Sequence, residues 1–282
     1  MEFIEIMKFP LLACIVLAGM HCYLGLHVVM REVIFVDLAL AQIAAMGAAV
    51  GLFAGSDPDS IQPYFWSLGF TFIGAAMFSI ARFRDQRVPQ EAIIGIVYAV
   101  SSAIAILVLS KSAVEGEQVE NMLKGQLIFV GWPEIIKLTL VCVAVAVVHV
   151  IFRKPLFAVS GAGSRADQLG VRVWAWDLLF YMTFGLVITS AVQIAGVLLV
   201  FSFLIAPAIC AMLFMNSITA RLLMGWTIGM IATVLGLAAS YHWDTPAGVS
   251  IVAAFGLILA ICVVTYALVS PRHAKPEGHA AS

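Results

Sequence analysis

Nine apolar runs of roughly 20 residues follow one another along this chain, and they leave little choice of fold. They cover approximately 9–30, 33–55, 63–81, 92–110, 135–152, 174–194, 197–215, 220–240 and 247–269. A run of that length crosses the hydrocarbon of a bilayer as a helix. Lipid offers no partner to an open backbone, so the runs must be helices packed on one another. The sixth and seventh form one near-continuous apolar stretch, interrupted only by Gln193 and Gly196. That stretch reads as two spans, or as one helix and a broken or re-entrant half-helix. The expected fold is an all-α, polytopic membrane bundle of eight or nine helices. It forms a single domain over 1–270, and the Pro-, Ala- and Gly-rich tail, 271–282, is expected to be disordered.

Composition excludes other classes. Charged residues make up 11% of the chain, against about 25% in soluble domains. The net charge of -1 gives no basic surface for nucleic acid. Cys14, Cys22, Cys142, Cys210 and Cys262 all lie in apolar runs without C-x-x-C spacing, which suits packing rather than disulfides or zinc. The first eight residues are acidic rather than basic, so the first run reads as a retained span and not a cleaved signal.

Loop charge sets an orientation. With the N-terminus outside and the C-terminus in the cytoplasm, the inner side collects Arg31, Arg82, Arg84, Arg87, Arg153, Lys154, Arg165, Arg172, Arg221, Arg272 and Lys275. Only Lys8, Lys111 and Lys124 fall opposite, a strong positive-inside bias. Residues 125–131 inside the long outer loop read as a short apolar hairpin or interfacial helix. The longest inner loop, 153–172, carries a docking signal over about 156–171. Ser164 can cap a short helix that runs through Ala166 to Leu169 and stops at Gly170.

Polar residues inside spans are costly in hydrocarbon and so mark candidate sites. Asp37 and Gln42 lie in the second span. Asp37 reads equally as a pathway residue or as the partner of a nearby arginine. Gln42 reads equally as a substrate contact or an interhelical hydrogen bond. His21, in the first span, can supply one metal ligand, although a satisfied buried histidine is the simpler reading. His27 and His149 have the same standing nearer the inner surface. Gln193 and Pro207 flank the least regular part of the bundle, and Pro207 can act as a kink or hinge. Asp244 with Thr245 and Pro246 reads as a helix N-cap followed by a first-turn proline. No G-x-x-x-x-G-K-[ST] phosphate loop occurs, so energy for active transport would come from a partner or an ion gradient.

Three stretches carry a family resemblance. They are Leu24-Gly25 through Arg31 to Gly47, the run Gly196-Val-Leu-Leu-Val-Phe-Ser-Phe-Leu-Ile-Ala-Pro-Ala208, and Asp244-Thr-Pro-Ala-Gly248. With the inner-loop residues Ala166-Asp-Gln-Leu-Gly-Val171, they resemble the permease subunit of bacterial ABC transporters for zinc, manganese and iron, the ABC-3 class. The resemblance implies a homodimer in the lipid of the bacterial inner membrane. It also implies cytoplasmic ABC ATPase subunits docked on the inner loop, and an extracytoplasmic metal-binding protein. The chain itself would be no enzyme and hold no permanent cofactor, a divalent metal ion being its cargo. One departure stands out. The family's second helix usually carries Asp-x-x-x-His. A gapless match puts Leu38 and Gln42 there, with Asp37 one residue early. On a helix, Asp37 and Gln42 diverge by about 140° and cannot share one narrow stripe. Rival readings are an ABC permease for a non-metal or metal-chelate substrate, a proton-coupled transporter using Asp37, and a membrane cofactor anchor using His21, His27 and His149.

Overall fold

The computed structural model describes residues 2–57, 60–81, 89–111, 125, 127–161 and 173–269. These form ten α-helices and one 3-10 turn. In chain order they are α1 (Glu2–Met30), α2 (Val36–Phe53), α3 (Gln62–Ile80), α4 (Gln90–Leu109), α5 (Trp132–Ile151), α6 (Arg153–Ser160), α7 (Val173–Ala195), α8 (Val197–Phe214), α9 (Ile218–Trp243) and α10 (Ala247–Val269). All but α6 are long and apolar enough to cross a membrane, giving nine spans among the described residues.

Local chemistry sets several boundaries. Pro89 sits in an extended conformation as the N-cap of α4, where its missing N–H costs the helix no hydrogen bond. Glu134 accepts from the Gly131 N–H at the start of α5, with Pro133 in the first turn. Ser217 accepts from the Ala220 N–H and caps α9. The helix α2 starts at Val36, and its N-cap Phe35 offers no side-chain cap.

The sixth and seventh runs are two complete helices, not a helix and a half-helix. A single residue, Gly196, separates α7 from α8 with φ 77° and ψ 159°. A side chain would strain that backbone, so glycine makes the abrupt change of direction possible. Residues 125–131 differ from expectation too. They form one 3-10 turn, Leu127–Phe129, rather than a hairpin or interfacial helix. Leu127 and Val130 are buried, and Gly125 packs against the Ala195–Gly196 peptide. The segment plugs the end of the bundle at the α7–α8 junction.

The helices pack in two groups, α2, α3, α4 and α7 in one and α1, α8, α9 and α10 in the other, with α5 against both α1 and α7. The most buried spans are α1, α2, α7 and α8. By contrast α4 buries only Ile94, Ser101 and Ala105, and α10 buries residues in its first half alone. Their outer faces carry exposed Ile, Leu and Val, as expected of surfaces against lipid.

Small residues set the central crossing. An added Cβ at Gly25 would collide with the Leu204 carbonyl oxygen, so α1 and α8 touch backbone to backbone there. The contact falls beside Pro207. Proline has no N–H to offer the carbonyl four residues earlier, that of Phe203. The Cys22 thiol of α1 points at that oxygen, 4.0 Å away. Helix α8 runs unbroken through Pro207, which is buried against α9.

Candidate functional site

The polar residues of the spans gather in three places. The most extensive lies where α1 ends and α7 begins. Arg31 was expected in a loop, but its side chain is 1% exposed and ion-pairs with Asp177, which is 0% exposed. The guanidinium lies 4.0 Å from the Phe180 ring centre and 5.8 Å from that of Tyr181. Its Nε donates to Ser160 Oγ at 2.9 Å. Tertiary packing explains the difference: α6 folds back over Arg31, and Asp177 occupies the first turns of α7, directly within reach.

Hydrogen-bond bookkeeping orients the groups around this pair. Ser160 has one hydroxyl proton, given to the Leu156 carbonyl at 2.8 Å. His27 Nδ1, 2.8 Å from Ser160 Oγ, must therefore donate to it. Thr183 likewise spends its proton on the Leu179 and Phe180 carbonyls. His149 Nε2 donates to Thr183 Oγ1 at 2.9 Å, and His149 Nδ1 accepts from the Tyr23 hydroxyl at 3.2 Å. Phe157 closes the cluster, its ring centre 4.3 Å from that of His27. His27 and His149 are thus buried members of one network, not interfacial residues.

The second place is the paired N-termini of α2 and α4. Glu91 accepts from the Phe35 N–H at 3.1 Å, so a residue of α4 supplies the cap that α2 lacks. Asp37, in the first turn of α2, is 2% exposed. Glu91, on the neighbouring α4, lies within electrostatic reach of it. One oxygen of each, Asp37 Oδ1 and Glu91 Oε2, is buried without a hydrogen-bond partner among the described residues. Arginine pairing for Asp37 does not come from Arg31, which is turned toward Asp177 instead.

The third lies toward the Gly196 end. Lys137 Nζ sits 3.6 Å from the Tyr64 ring centre. The Tyr64 hydroxyl meets Ser190 Oγ at 2.8 Å, and Thr71 meets Thr189 at 3.1 Å.

The other sequence candidates are dispersed. His21 is fully buried in α1, its Nδ1 donating to the Leu17 carbonyl at 3.0 Å while Nε2 has no partner. Gln42 is half-buried, on the same strip of α2 as the half-buried Leu38 and Met46. Asp37, by contrast, faces the packed interior. Gln193 is exposed near the end of α7. Asp244 is not an N-cap: it ends α9 in the left-handed region, φ 50° and ψ 47°. Ser240 Oγ donates to the Thr245 carbonyl at 2.6 Å and closes that turn. Ser164, Ala166, Leu169 and Gly170 fall outside the described residues, as does the tail 271–282. No group of three or more His, Cys, Asp or Glu side chains placed to hold a metal ion occurs among the described residues. His21, His27 and His149 therefore do not form a common ligand set.

Sequence reasoning missed Asp177 and Glu91. Both stand in the first turn or two of apolar helices, where a carboxylate reads as an ordinary helix-start residue. Only the neighbouring helices show what each one faces.

The described residues thus form a nine-span helical membrane bundle with polar clusters enclosed between its helices. The chain belongs to the ABC 3 transport family, whose model matches residues 3–266. It is 25% identical over 245 residues to the manganese transport system membrane protein MntC of Listeria innocua, covering 84% of this chain and 82% of that one. It is also 25% identical over 263 residues to the high-affinity zinc uptake system membrane protein ZnuB of Haemophilus influenzae, covering 91% and 97%. Its fold matches a chain of PsaBC from Streptococcus pneumoniae in complex with Fab, with a TM-score of 0.77 at 24% identity, over 93% of this chain and 94% of that one.

Proposed function

We propose that this chain is the permease subunit of an ATP-driven importer for a divalent metal ion, manganese or zinc ahead of iron. It works as a homodimer in the bacterial inner membrane, N-terminus outside and C-terminus in the cytoplasm. Cytoplasmic ABC ATPase subunits drive it, and an extracytoplasmic binding protein delivers the ion. Family membership supports the transport role, and the names of the manganese and zinc relatives support the cargo. The observation that carries the reading is the Asp37–Glu91 pair. Asp37 is buried and Glu91 half-buried, each with one enclosed oxygen that has no hydrogen-bond partner among the described residues, an arrangement that is costly unless a cation or proton visits it. The strip bearing Leu38 and Gln42 lies half-open on the same helix, suited to face a path shared with a second copy.

The test is uptake of radioactive manganese and zinc into vesicles holding the complex with its ATPase. Asp37→Asn should lower uptake by about tenfold or more, the usual scale for losing a metal-site carboxylate or its support. Gln42→His should raise zinc uptake relative to manganese, because imidazole suits zinc better than an amide oxygen does. Normal uptake in the Asp37→Asn variant would sink the cation reading. Uptake that follows a proton gradient without ATP would establish instead the proton-coupled alternative, with Asp37 as carrier.

A further inference from the structure

The cluster around Arg31 is too large and too costly to be explained by folding alone. A buried ion pair can often be exchanged for apolar side chains with little loss, or even a gain, in stability. Nor does the cluster suit a cation site. The Arg31 guanidinium stands at its centre, and both ring nitrogens of His149 are already engaged.

What the cluster does is join elements. Helix α6 begins after a single break at Phe152 and presents Arg153 and Lys154 outward. Its other end, Leu156 and Ala158 to Ser160, is buried. Ser160 receives Arg31 and His27 from α1, and Arg31 in turn grips Asp177 of α7. Arg31 also opens the tight turn to α2. There Arg31 N–H bonds the His27 carbonyl at 3.0 Å and Val33 N–H bonds that of Val28 at 3.3 Å. Within this turn Glu32 takes φ 58°, a conformation L residues seldom adopt. The turn ends at Phe35, braced by Glu91, two residues before Asp37. An unbroken chain of contacts thus runs from the surface of α6 to the carboxylate pair.

We propose that Ser160, Arg31 and Asp177 are positioning residues that transmit displacement of α6 to α1, α7 and the Asp37 turn, and thereby couple ATP hydrolysis to transport. The proposal rests on the importer reading, in which α6 lies on the ATPase side. Ser160 is the hinge pin: its hydroxyl accepts from both Arg31 and His27. Coupling of this kind passes through packed side chains and hydrogen bonds that connect the elements physically, rather than through distance alone.

The experiment uses the complex, co-purified with its ATPase and placed in proteoliposomes. ATP turnover and manganese or zinc uptake are measured together for wild type, Ser160→Ala and Ser160→Thr. In parallel, a spin label on Lys154→Cys, in a background without the native cysteines, reports the mobility of α6. Ser160→Ala is expected to raise ATP consumed per ion by about threefold to tenfold, and to loosen the label. Ser160→Thr keeps a hydroxyl able to bond the carbonyl four residues back, so it should restore both. A change confined to folding would lower ATP turnover and uptake in parallel and leave their ratio unchanged. An unchanged ratio in Ser160→Ala would overturn the coupling role. An unmoved label would overturn the joint itself, whatever is transported. A wild-type complex without ATP-dependent uptake would instead overturn the importer reading, while the label still tests the joint.

Discussion

Arg31 shows how much a single residue's environment decides. In sequence it is one more basic residue between two apolar runs, and in the bundle it is an ion-pair partner sandwiched on aromatic rings. Removing one partner of such a pair strands the other charge in a low-dielectric interior. Asp177→Ala should therefore destabilise the bundle by about 3–5 kcal/mol. The double variant Arg31→Met, Asp177→Leu, which strands no charge, should recover most of that loss. Thermal unfolding in detergent, compared across the three proteins, decides the matter. A double variant no more stable than Asp177→Ala would mean that packing, not charge, dominates here. The same contrast separates Asp37 from Gln42. Helical angles alone say that they diverge, and burial shows how: one is enclosed beside Glu91, the other is half-open.

At the level of elements, the crossing of α1 and α8 is the tightest constraint. Gly25 lets the two backbones meet where Pro207 has already freed the Phe203 carbonyl. Gly25→Leu puts a side chain where the Leu204 carbonyl stands, so the helices must separate. Overpacking of this kind costs about 1–3 kcal/mol. Lower yield and a lower unfolding temperature in detergent are expected. Stability equal to wild type would show that α1 and α8 can part without penalty. Helix positions themselves were legible in the sequence, because long apolar runs permit nothing else in lipid. Their ends were less so. The start of α2 depends on Glu91 from α4, and Asp244 closes α9 rather than opening α10. In both cases the deciding hydrogen bond comes from elsewhere in the fold, or from a backbone angle that composition does not reveal.

For the whole molecule the open question is which way the bundle faces. The charge bias of the loops predicts that the α6 end faces the cytoplasm. Lys154 on α6 and Ala54 after α2 are both exposed and lie at opposite ends. In a background without native cysteines, an impermeant thiol reagent applied outside intact cells should label Ala54→Cys and spare Lys154→Cys. The reverse pattern would invert the orientation and remove the basis for ATPase docking at α6.

Sequence by itself determined the class, the number of spans to within one, and the family, because hydrophobic length and a few ordered motifs are one-dimensional properties. Only the tertiary structure decided which polar residues matter together. Asp177, Glu91, Ser160 and Arg31 lie far apart in the chain, and each alone has an ordinary explanation. A buried charge acquires meaning from the group it faces. That pairing is made by helices crossing in three dimensions, where sequence spacing carries no record of it.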